Sequence, residues 1–328
     1  MGALASKLAQ STQSTSICAM VRYFSAGTSS KTFRPRRSFL YIPGSSEKML
    51  AKAPGTGADT VCLDLEDAVS YNMKEEARKY ITKAINSTDY GNMEVIVRIN
   101  PIATELGRRD LDYFLEQSSL PMHGFCVPKL ETVDELTYIH EKLSSCEKER
   151  GLPPLSKVVI GLIETPVSMI NLKDILASQG RSRLGAVIFG GDDYANAVGA
   201  TRTDSNEEIA FARNWVLLHA AAAGIQAIDI VHKDFKDTQG LIEECKLAAQ
   251  RGYTGKQLIH PSQVAPANQY FAPDPKVVQW SKRVVEAAEQ NEKEGRGAFA
   301  IDGIMIDAPT IKLARRQLAR ARACGMDV

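Results

Sequence analysis

The chain has 328 residues, 44% hydrophobic and 24% charged, with 40 basic side chains against 39 acidic ones. That length allows one large α/β barrel or two smaller domains, and the near-balanced charge offers nucleic acid no electrostatic footprint. No run approaches the roughly eighteen apolar residues of a membrane span, and the six dispersed cysteines, without CxxC spacing, argue against a disulfide framework or a zinc site.

The first 46 residues hold six basic side chains (Lys7, Arg22, Lys31, Arg34, Arg36 and Arg37), many Ser and Thr, and no acid before Glu47. This is the composition of a mitochondrial transit peptide, so residues 1–37 are assigned to a leader and the matrix is the expected compartment. From Ser38 onward short apolar runs alternate with longer amphipathic ones. The strands predicted are 38–43, 60–66, 94–100, 124–129, 157–164, 185–191, 226–231 and 255–260. Helical stretches lie between them, among them SSEKMLAKA, KEEARKYITKAI, ETVDELTYIHEKLSS and NEEIAFARNWVLLHAAAAG. In the last, Asn206 can cap, Glu207 and Glu208 suit the first turn, and Gly224 supplies the stop.

Nearly continuous apolar strands followed by helices imply a parallel sheet covered on its outer face, and eight such units are the number that closes a (β/α)8 TIM barrel. An open nucleotide-binding sheet has no support, because neither GxGxxG nor GxxxxGK[ST] occurs. The barrel is assigned to 38–293. The tail 294–328 breaks the rhythm with a glycine-containing arm, an apolar IMIDAP and a basic helix. It is expected to fold over the barrel mouth or onto a neighbouring subunit.

In such a barrel the reactive face is at the C-terminal ends of the strands. Those ends carry Tyr41 and Pro43, then Asp64, Glu66 and Asp67, then Arg98 and Asn100. Lys129, Glu164, Asp192 with Asp193, Asp229 and His260 follow. Glu164 closes the apolar VVIGLI, and Thr165-Pro166 then turns the chain. Carboxylates on adjacent strands five and six suit a hard cation such as Mg2+, which takes one or two of them plus water and substrate oxygens. Two acids flanking a sugar bond are the rival reading, for which the strand ends offer few aromatics besides Tyr41. Taken singly, Glu164 could pair with an arginine, Asp192-Asp193 could cap a helix, Lys48 and Lys52 could form a solvated face, and His260 could be structural.

Nine motifs in order, LYIPGSSEKMLAKA, VCLDLEDAV, VRIN, VPKLET, IETPVSM, FGGDDYANAVGA, QAIDIVHKDF, GYTGKQLIHPSQV and GAFAIDGIMIDAP, span Phe39 to about Leu313. They resemble the CitE-like, HpcH/HpaI aldolase-type acyl-CoA lyase family. The resemblance implies a Mg2+-dependent TIM barrel, commonly a homotrimer, that breaks a carbon–carbon bond beside a CoA thioester. Citramalyl-CoA is the implied substrate, giving acetyl-CoA and pyruvate through an acetyl-CoA enolate. Malyl-CoA cleavage, malate-synthase-like condensation, thioester hydrolysis and a non-catalytic CoA-binding subunit stay open beside it. By motif, Glu164 and Asp193 are implied as metal ligands and Arg98 as the group binding a substrate carboxylate or enolate oxygen. Asp307 is implied as acid/base, reaching the site from the arm of an adjacent subunit. Tyr41, Lys48, Lys52, Ile259 and His260 are implied on the CoA side. Asp192 is expected in the surroundings of the metal, and Glu66, Asp67 and Asp229 are expected either to orient waters on it or to pair with Arg98. No membrane or nucleic-acid partner is expected.

Overall fold

Strands that are apolar on both faces must be covered twice, by one another inside a closed sheet and by helices outside it. The computed structural model, which describes residues 33–117, 121–293 and 299–328, satisfies this with a closed parallel barrel in strand order one to eight. The strands are β1 (Ser38–Pro43), β2 (Thr60–Asp64), β3 (Glu94–Arg98), β4 (Gly124–Val127), β5 (Val158–Ile163), β6 (Leu184–Phe189), β7 (Gln226–Asp229) and β8 (Gly255–Leu258). The helices between them are α1 (Glu47–Lys52), α2 (Lys74–Ser87), α3 (Glu105–Glu116), α4 (Val133–Glu149), α5 (Pro166–Ala177), α6 (Gly191–Ala197), α7 (Ala210–Ala223) and α8 (Thr238–Arg251). After β8 come α9 (Val264–Tyr270) and α10 (Pro275–Lys293).

Side-chain parity assigns the two faces. Phe39, Cys62, Ile96, Cys126, Ile160, Leu162, Ala186, Ile188 and Ile228 form one cluster that fills the barrel, with Tyr41 packed against it. Their strand neighbours, among them Leu40, Val61, Leu63, Val97 and Val127, belong to the larger core under the helices. Successive strand side chains alternate, so two steps beyond Cys62 and Ile96 bring Asp64 and Arg98 to the inner face at the top. The two are register partners across β2 and β3. All eight strands stop short of the predicted C-terminal bounds or meet them, because the polar residues there leave the ladder to shape the mouth.

Local chemistry sets the helix starts. Thr165, directly after Glu164, caps α5 through a hydrogen bond from Ser168 N, and Pro166 occupies the first turn. Gly224 ends α7 at φ 69°, as expected for a left-handed stop. Asn206 does precede a short 3-10 turn (Glu207–Ile209), but its side chain makes no capping bond. Instead it accepts from Arg202 at 2.8 Å.

One expectation changes. The leader assignment to residues 1–32 lies outside the described residues, but its end at 37 is too late. Arg36 is buried and donates twice, at 2.6 Å each, to Glu94. Arg37 pairs with Asp59 at 2.8 Å. These two cations are parts of the barrel floor, not of a leader. The C-terminal arm is a hairpin, β9 (Phe299–Ile301) with β10 (Ile304–Ile306), followed by α11 (Ala308–Ala323). It packs on α10 through Val284, Ile306 and Ala314 and through Val278, Leu318 and Ala321. Arg320 then donates to Phe271 O at 3.3 Å. Among the described residues, no hydrogen bond or ion pair joins this arm to the mouth of its own barrel.

Candidate active site

Arg98 is the centre of the mouth. Asp64 accepts from its Nε and Nη2 at 2.6 and 2.7 Å, a fork-to-fork pair that fixes the guanidinium plane. The same carboxylate accepts the backbone N–H groups of Glu66 at 2.8 Å and Ala68 at 3.1 Å, so one anion orients both the arginine and the loop after β2. Lys74 secures that loop by donating to the carbonyls of Leu65 and Glu66 at 2.6 and 2.7 Å and to Asn100 at 2.9 Å. The Arg98 guanidinium lies 4.6 Å from the Tyr41 ring centroid, and Tyr41 Oη donates to Gln257 at 3.0 Å. Burial opposes the Arg98 charge, but Asp64 outweighs it and holds the pKa well above the usual arginine value.

Beside this pair is an acid cluster. Glu66 Oε2 lies 2.8 Å from Arg98 Nη1 without hydrogen-bond alignment, so this buried oxygen has no hydrogen-bond partner. Burial pushes the Glu66 carboxyl up to about 7 against the pull of Arg98. Glu164 is 2% exposed, and burial together with Glu66 and Asp193 pushes its carboxyl up to about 8. Gly190 makes room for it: a Cβ there would come within 2.5 Å of both Glu164 Cβ and Oε2. Lys129 joins the three acids. Its N–H donates to Glu164 at 2.9 Å, and its Nζ lies 3.3 Å from Glu66 and 3.9 Å from Asp193.

The structure therefore brings together Tyr41, Arg98, Glu66, Glu164 and Asp193, with Asp67 on the rim at 3.5 Å from Arg98. It does not bring Asp192, whose carboxylate is taken by Arg202 at 2.9 Å and Lys233 at 3.0 Å. Nor does it bring Asp229. One step past inward Ile228, that side chain points outward and is fully buried in ion pairs with Arg213 and, at 3.7 Å, with Lys256. Both leave the expected metal environment. Lys48 and Lys52 are exposed on α1, just after β1. Ile259 is exposed, and His260 stacks on Phe235 with ring centroids 4.6 Å apart. Asp307 is the exposed N-cap of α11, where Thr310 N–H and Oγ1 hold its carboxyl below the usual range. Asp64 and Lys129 were visible as polar strand ends but had no role until the fold supplied their partners.

An oxygen-only donor set, with Glu66 and Glu164 buried and Glu66 Oε2 lacking a hydrogen-bond partner, fits a hard divalent cation. Among the described residues no group of three or more His, Cys, Asp or Glu side chains is arranged to hold a metal ion. Two carboxylates with further oxygens from water or ligand is the pattern expected for Mg2+.

The HpcH/HpaI aldolase/citrate lyase family profile matches residues 37–261 of this sequence. The chain belongs to that family. Among its relatives, a Rattus norvegicus protein described as citramalyl-CoA lyase, mitochondrial, is 37% identical over 294 residues, 88% of this chain and 86% of that one. A Cereibacter sphaeroides (3S)-malyl-CoA thioesterase is 35% identical over 289 residues, 88% of this chain and 95% of that one. The crystal structure of CitE from Mycobacterium tuberculosis, in complex with magnesium, acetoacetate and coenzyme A, is similar with a TM-score of 0.68 and 28% identity. The similarity covers 89% of this chain and 98% of that chain. As a member of the HpcH/HpaI aldolase/citrate lyase family, the protein is an enzyme of the lyase class, and its Asp64–Arg98 pair and acid cluster sit where barrel enzymes carry their chemistry.

Proposed function

We propose that this enzyme is a Mg2+-dependent citramalyl-CoA lyase of the mitochondrial matrix, releasing acetyl-CoA and pyruvate. The observation that carries the reading is the juxtaposition of a rigidly held guanidinium, Arg98 on Asp64, with the oxygen-only cluster of Glu66, Glu164 and Asp193. The relatives support the substrate class, and the acid-free, Ser/Thr-rich residues 1–32 support the compartment.

Glu164 and Asp193 would hold the cation. When bound it supplies Lewis acidity to the hydroxyl and carboxylate oxygens of the substrate. The hydroxyl releases its proton, the bond between the carbinol carbon and the CH2 beside the thioester breaks, and its electron pair passes into the thioester enolate. The carbinol carbon becomes the carbonyl of pyruvate. Arg98 is preorganised to meet the negative charge that develops on the thioester oxygen, because Asp64 and the Tyr41 ring fix it before substrate arrives. Asp307, the acid/base group, would take up the proton that the hydroxyl releases and return it to the enolate carbon, giving acetyl-CoA.

Among the described residues Asp307 bonds only to Thr310 of its own helix, and it would reach the mouth of a neighbouring copy within the expected homotrimer. Large exposed apolar side chains support assembly. Ile170 and Phe211 stand on α5 and α7, and Met305 stands on the hairpin beside Asp307. Such side chains leave apolar area for a neighbouring copy to cover, and a head-to-tail contact between copies closes into a ring where its rotation permits. Lys48, Lys52, Ile259 and His260 would serve the CoA portion.

Pyruvate release from citramalyl-CoA and from malyl-CoA, with Mg2+ and with EDTA, tests this reading. Mg2+-dependent release from citramalyl-CoA supports it. Turnover of malyl-CoA alone, or release of free CoA without pyruvate, reassigns the substrate or the reaction. Binding of the thioesters without any turnover turns the chain into a CoA-binding subunit.

A further inference from the structure

Lys129 stands where four strand ends converge. It follows β4, and it touches acids from the ends of β2, β5 and β6: Glu66 at 3.3 Å, Glu164 through the backbone at 2.9 Å, and Asp193 at 3.9 Å. Its backbone has φ 48°, in the left-handed region that residues other than glycine seldom adopt. Conformations of that kind persist where surrounding structure enforces them, and they gather at functional sites. Here the unusual backbone lets one residue aim its N–H at Glu164 while its ammonium turns to the two other carboxylates. The side chain is also about one-third exposed, so it is not locked in the core and has open mouth in front of it.

An ammonium and a divalent cation need the same thing from this cluster, the lone pairs of carboxylate oxygens. Both cannot use Asp193 fully. Glu66 is in addition shared between two cations, with Arg98 at 2.8 Å from one oxygen and Lys129 at 3.3 Å from the other.

We infer that Lys129 is an internal counter-ion of the acid cluster, which competes with the divalent cation for Asp193 from its seat on Glu66 and is turned outward, toward substrate, when the cation binds. This rests on the metal-site reading above. It makes Lys129 a positioning residue whose removal strengthens metal binding, where loss of a merely structural residue would weaken it. An anionic substrate entering a loaded site would then meet a second cation beside Arg98, released by the metal itself.

The test is Mg2+ binding to the full chain by calorimetry, in wild type, Lys129→Met and Lys129→Arg. Lys129→Met is expected to bind Mg2+ about tenfold more tightly than wild type, since the competing and repelling charge is gone, and Lys129→Arg is expected to bind about as weakly as wild type. Affinity in Lys129→Met that is unchanged or weaker overturns the inference. Should Lys129→Met not fold, wild-type protein decides through lysine labelling with acetic anhydride, read by mass spectrometry. Saturating Mg2+ is expected to raise modification of Lys129 several-fold with Lys142 as an indifferent control, whereas unchanged or lower modification overturns the inference. Absence of Mg2+ binding by wild type would instead overturn the metal-site reading itself, and the inference with it.

Discussion

Asp64 grips Arg98 with two hydrogen bonds of 2.6 and 2.7 Å, from a position with no solvent exposure at all. The pair is ordained by register, since the two residues are partners on adjacent strands and share the inner face. An arginine so held cannot reorganise during the reaction, which is what electrostatic stabilisation of a developing enolate requires.

Replacing Asp64 by Asn keeps the shape and removes the charge. Arg98 is then left buried beside a neutral amide, and the loop at Glu66 and Ala68 loses its anionic acceptor. Breaking one side of a buried ion pair costs about 3–5 kcal/mol, so the unfolding temperature should drop. Turnover should fall by at least about a hundredfold, as for other losses of a preorganised donor. Steady-state kinetics with parallel thermal denaturation reads both. An Asp64→Asn variant with normal kcat would remove Arg98 from the account.

Gly190→Ala acts on the other half of the site. The new Cβ would come within 2.5 Å of Glu164 Cβ and Oε2, so the carboxylate must move. The expected result is loss of Mg2+ affinity by about tenfold or more with an unchanged far-ultraviolet spectrum, since no ligand atom has been deleted but its position has. Calorimetric titration measures it. Unchanged affinity would take Glu164 out of the ligand set.

Much of this was readable from the sequence, for physical reasons. A strand apolar on both faces has a plain signature, and all eight appear in order within two or three residues of their predicted limits. Polar residues at strand ends could be collected for the same reason. Their direction could not be read so easily. Asp229 is one step out of phase with inward Ile228, and its true partners, Arg213 and Lys256, come from α7 and β8. Alternation along QAID would have exposed this, had the inward residue been fixed first. Arg36 and Arg37 were counted with the leader because composition does not distinguish a cation awaiting export from one awaiting Glu94 or Asp59. Lys129 was legible as a strand end only, because its meaning is in contacts with three other strands' ends.

Acid stability should depend on Glu147, on the side of the barrel away from the chemistry. Its carboxylate accepts from Arg183 at 2.9 and 2.8 Å, from Ser156 at 3.0 Å and from the N–H groups of Leu155 and Lys157. Burial works against the charge, but Arg183 and these donors outweigh it and hold the carboxyl at about 2, below its ordinary 4.5. A depressed folded value means that the stabilisation is complete above about 4.5 and is lost as pH falls through about 2. Denaturant unfolding of Glu147→Gln should therefore show lower stability near neutrality and a flatter decline between those pH values than wild type. Equal slopes would contradict the assignment.

The arm yields a test by mixing. Asp307 is exposed and, among the described residues, its side chain bonds only within its own cap, so Asp307→Ala should leave the unfolding temperature within about 2 °C while reducing turnover by about 10²–10⁴-fold. Glu164→Ala should also be inactive. If a neighbour supplies Asp307, co-refolded mixtures of the two variants regain activity, because some sites combine an intact barrel with an intact arm. Silent mixtures would place the arm over its own mouth.

The central claim is carbon–carbon bond cleavage of an acyl-CoA at the Arg98–Glu164–Asp193 mouth. Its most direct test is pyruvate release from citramalyl-CoA by protein beginning at residue 33, which keeps Arg36 and Arg37 in the fold. Rapid release with Mg2+, abolished by EDTA and by Glu164→Ala, is the predicted result. Release that persists in EDTA or in Glu164→Ala, or no release from any malyl- or citramalyl-thioester, would contradict it.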